Sequence, residues 1–558
     1  MAITTLSNYT LPGLLRRNVL EIPGNDCIVA PEYSVRWSWR EFDRLTTLAA
    51  RGMLAMGIKK GDHVAIWATN LPEWMITMFA TSKIGAILVT VNTNYKQFEV
   101  EYLLRQSDTK MLIMMAENKD NNYLGHIIGL MPSLLTCAPQ DVGSTALPYL
   151  KSVVLIGDHP SRPIGARQFS EFYDLAETVP ESAVEELIAS ADTHDVINMQ
   201  YTSGTTGFPK GVMLTHHNIT NNGQFMGDRM KFTSKDRLLI VVPLFHCFGC
   251  VLGVMSCLTH GTTIVLMERY NPLREMEMLV AEKCTAVHGV PTMFIGMLEH
   301  PDFNKFDFSH LRTGIMAGSP CPIKAMRDVN TKMHMSEITI VFGQTESSPG
   351  MTQSSADDPL ELRVATVGKL LPCTEGKIIS PETGLEQPWG VPGEIVTRGY
   401  LVMKGYYKMP EATRQAIDDE GWLHTGDIGT MDEDGNFRIT GRLKDMIIRG
   451  GENIYPREIE EFLYTHPAIR DVQVVGVPDE KYGEEVLACV ILRDGMTATS
   501  DEVIQFVKGG MSRFKSPRYI IFMESFPMTA SGKIQKYKLR EMGIQVLGLQ
   551  TADAIETA

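Results

Sequence analysis

Residues 201–211, with the sequence Tyr-Thr-Ser-Gly-Thr-Thr-Gly-Phe-Pro-Lys-Gly, concentrate groups that bind phosphate. Gly204, Gly207 and Gly211 permit positive φ and close approach, so consecutive backbone N–H groups converge on an anion. The side chains add the hydroxyls of Thr202, Ser203, Thr205 and Thr206 and the ammonium of Lys210. The common nucleotide loop G-x-x-x-x-G-K-[ST] does not fit, because Pro209 stands at its second glycine. The sequence therefore predicts a phosphate cradle of another kind.

The alternative to a cradle is a solvated Gly/Thr loop between two strands. An apolar strand at residues 196–200 and the Pro-Lys-Gly ending favour the cradle. The segment resembles the signature of the adenylate-forming superfamily, which includes acyl-CoA synthetases, luciferases and nonribosomal-peptide adenylation domains. The resemblance covers nearly the whole chain, from about Leu45 to Arg540.

Composition bounds the class of protein. A chain of 558 residues with 44% hydrophobic content is long enough for about three or four domains with large cores. Its net charge of −14 argues against a nucleic-acid partner held by a basic surface. Nine scattered cysteines do not form a disulfide framework and indicate a reducing compartment. No basic segment followed by an apolar one opens the chain, so secretion is not indicated.

Residues 238–267 contain no Asp, Glu, Lys or Arg and are long enough to span a bilayer. Their pattern favours a buried strand–helix–strand unit instead: a strand at 238–242 that Pro243 ends, a helix at 248–258, and a strand at 263–267 after Gly261. Cys247 and Cys250 form one C-x-x-C pair inside this run. We expect structural or pocket-lining thiols there, because a zinc site needs a second pair of ligands.

Alternating strands and helices predict a doubly wound α/β body. The strands are expected at 63–68, 86–91, 110–115 and 285–288, and the helices at 73–84, 98–106, 273–282 and 292–299. After about Gly368 short strands at 376–379, 393–398 and 436–440 predict a β-rich subdomain, with a hairpin turn at 432–435.

We predict a large N-terminal AMP-binding domain at 1–443 and a small α+β domain at 444–558, which the resemblance implies to be mobile. Expected elements of the small domain are helices at 456–465 and 500–507 and strands at 472–477, 485–492 and 519–522.

Residues 342–346, Phe-Gly-Gln-Thr-Glu, resemble the second motif of the superfamily, whose glutamate helps to hold Mg²⁺ beside the ATP phosphates. A carboxylate and a hydroxyl are hard oxygen ligands of the kind that Mg²⁺ prefers. Taken alone, Thr345 and Glu346 would more often cap a helix. With the resemblance, Glu346 and Thr205 are the expected metal ligands.

Further motifs complete the expected ATP and AMP site. Residues 422–427 and Arg442 resemble the ribose clamp, in which the carboxylate of Asp427 accepts the sugar hydroxyls. Residues 317–319 resemble the segment against which adenine lies, with Phe342 on its other face. The nucleotide-binding set is Thr202, Ser203, Gly204, Thr205, Thr206, Gly207, Lys210, Gly318, Ser319, Phe342, Gly343, Gln344, Thr345, Asp427, Arg442 and Lys533.

Lys533, which ends the loop Pro-Met-Thr-Ala-Ser-Gly-Lys at 527–533, resembles the superfamily's catalytic lysine. The resemblance implies that it neutralises the α-phosphate while a carboxylate attacks ATP, giving an acyl adenylate and diphosphate. CoA then displaces AMP after the small domain rotates. The expected pivot is Lys444, and the expected CoA face includes Arg449, Gly450 and Gly451.

The acid pocket is expected beside His246, which resembles a residue at the mouth of the pocket and is expected to contact the carboxylate or gate it. The predicted catalytic residues are thus Lys533, Glu346, Thr205 and His246. The predicted pocket lining is His246, Cys247, Phe248, Val290, Met316, Val341 and Gln344. Without the resemblance, a lone histidine in an apolar run would be a core residue.

The sequence thus predicts an AMP-forming acid–thiol ligase that makes an acyl-CoA from a medium-chain, branched or ring-bearing acid, in either direction. The alternatives are an adenylation enzyme that loads a carrier protein, a luciferase-like oxygenase, and a non-enzymatic nucleotide-binding protein. We expect ATP, Mg²⁺ and CoA as cofactors, a cytoplasmic location, no transmembrane segment and no nucleic acid, with a homodimer left open.

Overall fold

The computed structural model describes residues 5–119, 121–202, 209–318, 321, 323–449, 452–479, 482–511, 513–529 and 534–549. The chain divides into two compact units by its internal contacts. The first consists of Met1–Glu375 and Thr397–Leu423, and the second of Gly376–Val396 and His424–Ala558. The predicted boundary between residues 443 and 444 falls inside the second unit and stays a prediction.

The first unit contains a nine-stranded sheet, counted over the described residues. Its six central strands are parallel, and antiparallel strands lie at both edges. In spatial order the strands are Lys369–Leu370, Gly350–Gln353, Glu337–Gly343, Thr313–Met316, Ala286–Gly289, Arg237–Ile240, Thr263–Leu266, Asp26–Ala30 and Val35–Ser38. The central strands are apolar and buried on both faces, as parallel strands covered by helices require.

An eight-stranded sheet accompanies it in the same unit, again within the described ranges. Six strands are parallel, and Lys210–Thr215 and Gly405–Tyr406 continue the sheet at one edge with antiparallel pairing. In spatial order they are Gly405–Tyr406, Lys210–Thr215, Val196–Thr202, Ile87–Thr90, His63–Trp67, Met111–Met114, Ser152–Leu155 and Ala166–Gln168. The core on one face includes Trp67, whose ring stacks on Tyr123 with centroids 3.8 Å apart.

Helices connect the strands of both sheets. They are Leu11–Glu21, Trp39–Ala55, Pro72–Lys83, Gln97–Gln106, Tyr123–Leu130, Glu171–Ala176, Glu181–Ala189, His216–Arg229, Ser256–His260, Pro272–Ala281, Pro291–Leu298, Ile323–Lys332, Leu360–Ala365 and Pro410–Ala416. Several begin with proline at the first position, where the missing N–H costs no hydrogen bond. Ser38 and Glu41 form a capping box at the start of Trp39–Ala55.

The charge-free run forms the predicted strand–helix–strand unit. Strand Arg237–Ile240 is followed by a π-helix at Phe248–Met255, which continues as the α-helix Ser256–His260, and then by strand Thr263–Leu266. Within the described part of the chain, no helix has both the length and the apolar character needed to cross a bilayer. The predicted buried strand–helix–strand unit is confirmed, although the sequence did not predict that its helix begins as a π-helix.

The second unit contains most of a four-stranded sheet, with the order Thr374–Ile379, Gly393–Gly399, Leu423–Met431 and Phe437–Arg442. A further sheet in this unit has strands Glu452–Ile454, Ile447–Arg449, Gly483–Leu492 and Ile469–Asp479 in that order, with Tyr519–Phe522 also paired to Gly483–Leu492. Its helices are Pro456–Leu463, Ser500–Gly510 and Lys536–Leu547. The predicted hairpin at residues 432–435 is confirmed, because Leu423–Met431 and Phe437–Arg442 pair antiparallel.

Alternation along the strands of the C-terminal sheet gives it two apolar faces. Val472 and Val474 belong to one core cluster, whereas Val475 and Val477 belong to another. Helices Pro456–Leu463 and Ser500–Gly510 cover the first face, and helix Lys536–Leu547 covers the second, because both faces of these strands are apolar and must be buried. The expected α/β body, β-rich strands and small α+β part are therefore confirmed as the fold class.

Short 3₁₀ turns complete the described elements and occupy Pro31–Tyr33, Pro132–Leu135, Pro139–Asp141, Phe303–Lys305, Thr345–Ser347, Leu443–Asp445 and Arg513–Lys515. Two of them carry residues of the predicted site.

Candidate active site

The predicted phosphate cradle closes a hairpin. Strands Val196–Thr202 and Lys210–Thr215 pair antiparallel, with Thr202 opposite Lys210 and Tyr201 opposite Gly211. The hydroxyl of Tyr102 donates to the carbonyl oxygen of Pro209 at 3.2 Å. The remaining predicted cradle residues, Ser203, Gly204, Thr205, Thr206 and Gly207, lie outside the described residues.

Glu346 contacts this hairpin and also the strand Gly405–Tyr406 that pairs with it. It lies in the turn Thr345–Ser347, which follows the strand Glu337–Gly343. Its Oε1 accepts a hydrogen bond from the hydroxyl of Thr202 at 3.4 Å. It also accepts one from the hydroxyl of Tyr406 at 2.8 Å. The fold thus brings two predicted motifs, 144 residues apart, to one carboxylate.

Tyr406 is a residue of this site that the sequence reasoning missed. Its ring lies 4.9 Å from the Nζ of Lys210, measured to the ring centroid, in a cation–π contact. Burial raises the pKa of Tyr406 well above its ordinary value, and the Glu346 carboxylate adds to the effect. No sequence motif indicated Tyr406, because an isolated Gly-Tyr-Tyr segment is typical of an ordinary short strand.

Backbone conformation requires glycine at two predicted positions. Gly343 has φ +157°, and a Cβ there would lie 1.9 Å from the carbonyl oxygen of Pro349. Gly318 has φ +88°, and its Cβ would lie 3.1 Å from Val290. Ser319 is outside the described residues. Both glycines follow parallel strands at their carboxyl ends, where ligands of α/β sheets bind.

The predicted acid-pocket residues lie at the same edge of the nine-stranded sheet. Gly289 pairs with Met316, and Met316 pairs with Ile340. Val290 and Ala317 therefore directly follow neighbouring strands, and Val341 lies at the same level in the third strand, Glu337–Gly343. Five of the predicted lining side chains are buried, and none of them carries a charge: Cys247, Phe248, Val290, Met316 and Val341. Gln344, with an intermediate exposure, is the polar member at the turn.

His246 and Cys247 connect this pocket to the Glu346 turn. The Nδ1 of His246 accepts the backbone N–H of Phe248 at 3.1 Å, so this nitrogen carries no proton. The Sγ of Cys247 lies 3.7 Å from the same nitrogen and 3.5 Å from the hydroxyl of Thr345. The contacts therefore link the predicted pocket mouth to the residue preceding Glu346.

Cys250 has a different polar partner. It is fully buried, and the side-chain amide of Gln200 donates to its Sγ at 2.9 Å. Burial raises the pKa of the Cys250 thiol well above its ordinary value. Among the described residues no group of three or more His, Cys, Asp or Glu side chains could hold a metal ion. The prediction that Cys247 and Cys250 are structural or pocket-lining thiols stays a prediction.

His288 is a second residue that the sequence reasoning did not select. It is fully buried, and its ring stacks on Phe248 with centroids 5.9 Å apart and on Phe232 at 6.4 Å. Its Nδ1 accepts the N–H of Ile315 at 3.2 Å, and its Nε2 lies 3.3 Å from the carbonyl oxygen of Leu252. Burial lowers its pKa to about 4, so the ring is neutral and ties the π-helix to the sheet.

The predicted ribose clamp forms a cross-strand pair in the second unit. Asp427 lies opposite Arg442 in the hairpin, and the Nε of Arg442 is 2.8 Å from Oδ1 of Asp427. Asp427 is buried, whereas the Arg442 side chain is 47% exposed. Glu394, which was not predicted, accepts the N–H of Gly426 at 3.1 Å and contacts His424 at 2.9 Å. The carboxylate of Asp427 is thus held in a fixed orientation.

The predicted hinge and CoA face are partly described. Lys444 lies in the turn Leu443–Asp445, although its side chain is outside the described residues, as are Gly450, Gly451 and Lys533. The guanidinium of Arg449 pairs with the buried carboxylate of Glu485 through Nε at 2.9 Å. It also donates to the carbonyl oxygen of Phe514 at 2.7 Å. These contacts fix the strand that leads into the predicted CoA face.

Comparison with known proteins adds independent findings. The model of the AMP-binding enzyme family matches residues 15–407, and that of the AMP-binding enzyme C-terminal domain matches residues 458–533. YngI of Bacillus subtilis (strain 168), an acyl-CoA synthetase by name, is 52% identical over 547 residues, which cover 98% of this chain and 99% of YngI. Mitochondrial medium-chain acyl-CoA ligase ACSF2 of Rattus norvegicus is 39% identical over 556 residues, covering 98% of this chain and 89% of ACSF2.

A solved structure is similar over the same extent. The crystal structure of the anthranilate CoA ligase AuaEII in complex with anthranoyl-AMP superimposes with a TM-score of 0.84. Its sequence is 25% identical, and the match covers 97% of this chain and 98% of AuaEII. Folds and sequences thus agree over nearly the full length.

Proposed function

Because the chain belongs to the AMP-binding enzyme family and is an AMP-forming acyl-CoA synthetase, we propose that it activates medium-chain, branched or ring-bearing carboxylic acids. The observation that carries the proposal is that five side chains assigned to the acid pocket are buried and uncharged: Cys247, Phe248, Val290, Met316 and Val341. Such a lining favours an apolar acyl group by about 0.8 kcal/mol for each methylene that it buries. The names of ACSF2 and AuaEII, a medium-chain and an anthranilate ligase, agree with it.

The first half-reaction joins the acid to the nucleotide. A carboxylate oxygen attacks the α-phosphorus of ATP, forming the acyl–phosphate bond while the bond to the β-phosphate breaks and diphosphate leaves. The proposed roles of this chain are to hold the phosphates with Lys210 and the 203–207 loop, and to bring Lys533 to the α-phosphate. Fixed positive charge there lowers the barrier, since it costs no reorganisation during the reaction.

The nucleotide's other parts are assigned to the remaining motifs. Adenine would lie between the segment at Gly318 and the ring of Phe342, and the ribose hydroxyls would be accepted by Asp427. The ion pair at 2.8 Å with Arg442 supports this assignment, because it holds an acceptor-only carboxylate in one orientation.

The residues around Glu346 fit a magnesium ion. The carboxylate is partly exposed, and both hydrogen bonds that it receives from described residues reach Oε1. Glu346 and Thr205 would hold the ion together with phosphate oxygens, a donor set of hard oxygens. When bound, Mg²⁺ supplies charge neutralisation at the phosphates.

The second half-reaction transfers the acyl group to CoA. The thiol sulfur attacks the acyl carbon, the new C–S bond replaces the bond to AMP, and AMP leaves. We assign the approach of CoA to Arg449, Gly450 and Gly451 after a rotation about Lys444. His246 would contact the acid at the pocket mouth.

The proposed setting is a reducing cytoplasm. The nine cysteines, all of which fall in the described ranges, form no disulfide. Self-association as a homodimer remains an open part of the proposal.

A panel of acids tests the proposed substrate class. Purified protein is assayed for CoA-dependent release of AMP with acetate, straight-chain acids of 4 to 12 carbons, branched acids and benzoates, each at about equal concentration. We expect kcat/KM to rise roughly fourfold per added methylene until the pocket is filled. Acetate as the best substrate would contradict the proposal, and failure of every acid to release AMP would contradict the assigned pocket.

A further inference from the structure

Tyr406 contacts two groups of the site at once. Its hydroxyl donates to Oε1 of Glu346 at 2.8 Å, and its ring lies 4.9 Å from the Nζ of Lys210. It is 8% exposed and has no part in the roles assigned above. Its position therefore suggests a role that acts through these two neighbours.

The backbone holds Tyr406 on both sides. Gly405–Tyr406 pairs antiparallel with Lys210–Thr215, and Tyr407 N–H donates to the carbonyl oxygen of Gly211 at 2.8 Å. The N–H of Met403 donates to the carbonyl oxygen of Glu346 at 2.9 Å. This segment thus joins the cradle strand to the Glu346 turn, so the Tyr406 side chain has little freedom to reorient.

The two oxygens of Glu346 are in different situations. Oε1 receives the hydroxyls of Tyr406 and Thr202, at 2.8 Å and 3.4 Å. Within the described parts of the chain, Oε2 receives no hydrogen bond. A carboxylate held through one oxygen presents the other in a fixed direction, which is how partners of metal-ligating side chains raise metal affinity.

We propose that Tyr406 is a positioning residue: its hydroxyl holds Oε1 of Glu346 so that Oε2 is presented to the metal, and its ring holds the Lys210 ammonium for the phosphates. The inference rests on the proposed metal role of Glu346. It assigns to the edge strand Gly405–Tyr406 a function that none of the nucleotide motifs contains.

Binding of Mn²⁺ with a non-hydrolysable ATP analogue tests the proposed role of the Tyr406 hydroxyl. Free Mn²⁺ is measured by its electron paramagnetic resonance signal with wild-type protein, Y406F, E346Q and Y407F. Tyr407 is the matched control, because its hydroxyl donates to Asp108 at 2.9 Å, a phenol–carboxylate bond of the same kind on the adjacent residue. We expect Y406F to weaken Mn²⁺ binding about 10- to 100-fold and Y407F to leave it at the wild-type value.

The outcomes separate this inference from the proposed function. Wild-type Mn²⁺ affinity in Y406F together with a loss in E346Q overturns the role of Tyr406 and leaves that of Glu346 intact. Wild-type affinity in E346Q overturns the metal role of Glu346 and the present inference with it. An equal loss in Y406F and Y407F means that only the stability of the segment was affected, which also overturns it.

The proposed role of the Tyr406 ring is tested without metal. ATP binding in the presence of EDTA is measured by calorimetry for wild type, Y406F and Y406L. We expect Y406F to keep the wild-type Kd, because it keeps the ring, and Y406L to weaken binding about 2- to 30-fold. Equal ATP affinities of wild type, Y406F and Y406L overturn the proposed role of the ring. Should Y406F not fold, Y406M, which lacks both the hydroxyl and the ring, is measured at a saturating concentration of the ATP analogue, so that the loss of the ring does not enter and the Mn²⁺ criteria stay the same.

Discussion

At the scale of single residues, Glu346 is where three distant parts of the chain meet. Thr202 comes from the cradle hairpin, Tyr406 from an edge strand, and Thr345 beside it contacts Cys247 of the acid pocket. A change in one of these side chains is thus expected to affect one of the two half-reactions. Separate measurement of adenylate formation and of thioester formation is therefore the informative assay.

Lys533→Ala is expected to suppress adenylate formation about 10²- to 10³-fold, since one charge-stabilising contact is worth roughly 3–4 kcal/mol in the transition state. Acyl transfer to CoA from supplied acyl adenylate should be unaffected, because the proposed rotation of the small domain takes Lys533 away from the α-phosphate before that step. The checks are ATP–diphosphate exchange and single-turnover thioester formation. Equal losses in both would contradict the assignment of Lys533 to the first half-reaction alone.

Phe248→Ala is expected to shift the preferred acid towards longer or bulkier chains, by roughly fourfold per newly accommodated methylene, or about 0.8 kcal/mol. Phe248 is 6% exposed and stacks on the neutral ring of His288. The measurement is kcat/KM over the acid panel for both proteins, with KM for ATP as the control. An unchanged ranking would show that Phe248 is a core residue and that the pocket lies elsewhere.

At the scale of elements, the π-helix Phe248–Met255 packs closely on helix His216–Arg229. A Cβ at Gly223 would lie 2.5 Å from the Cβ of Met255, so only glycine permits this approach. His288 contacts the same segment through Leu252 and Phe248. These contacts fix the segment that carries the predicted pocket residues through packing, so the charge-free run holds both core and predicted site residues.

Helix Pro272–Ala281 carries a buried carboxyl group, and we therefore expect the free energy of unfolding to depend on pH. Glu275 is fully buried, and neither of its oxygens has a hydrogen-bond partner in the described residues. Burial raises its pKa from 4.5 to about 8. Between these values the folded state binds more protons than the unfolded state, so the group's contribution to stability is full below about pH 4.5 and is lost as the pH rises through about 8.

Glu275→Gln should remove this part of the pH dependence, whose slope is at most about 1.4 kcal/mol per pH unit. The free energy of unfolding is measured by urea titration between pH 5 and pH 8.5. Glu277→Gln on the same helix is the control, because Glu277 is 41% exposed and pairs with Arg274 on the surface. Parallel pH profiles of wild type and E275Q would show that Glu275 titrates normally.

At the scale of the whole molecule, the division into two compact units agrees with the proposal that the two half-reactions use different arrangements of the chain. The second unit holds the Asp427–Arg442 pair, the Leu443–Asp445 turn and the strand that ends at Arg449. Arg449 is fixed by Glu485 and the Phe514 carbonyl, so that strand moves with its own sheet.

Gly451→Trp should leave ATP–diphosphate exchange intact and lower thioester formation at least about 100-fold, because the bulky side chain would fill the approach of CoA. Gly451→Ala is the matched control and is expected to retain most of the second half-reaction. Survival of CoA transfer in the tryptophan variant would show that the glycine pair is only a turn.

The sequence by itself determined the fold class, the nucleotide motifs and most element positions. Glycines, hydroxyls, a lysine and a glutamate in fixed local spacing identify phosphate chemistry, and the alternation of strands with helices follows from hydrophobic periodicity, so both are local properties. Only the tertiary structure decided that Tyr406 lies against Glu346 and Lys210, that His288 stacks on Phe248, and that the Glu275 carboxyl group receives no hydrogen bond from any described residue. Tyr406 and Glu346 are 60 residues apart, and their contact depends on which strands become neighbours in a sheet. Strand order follows from the burial of whole faces, which no local spacing of residues encodes.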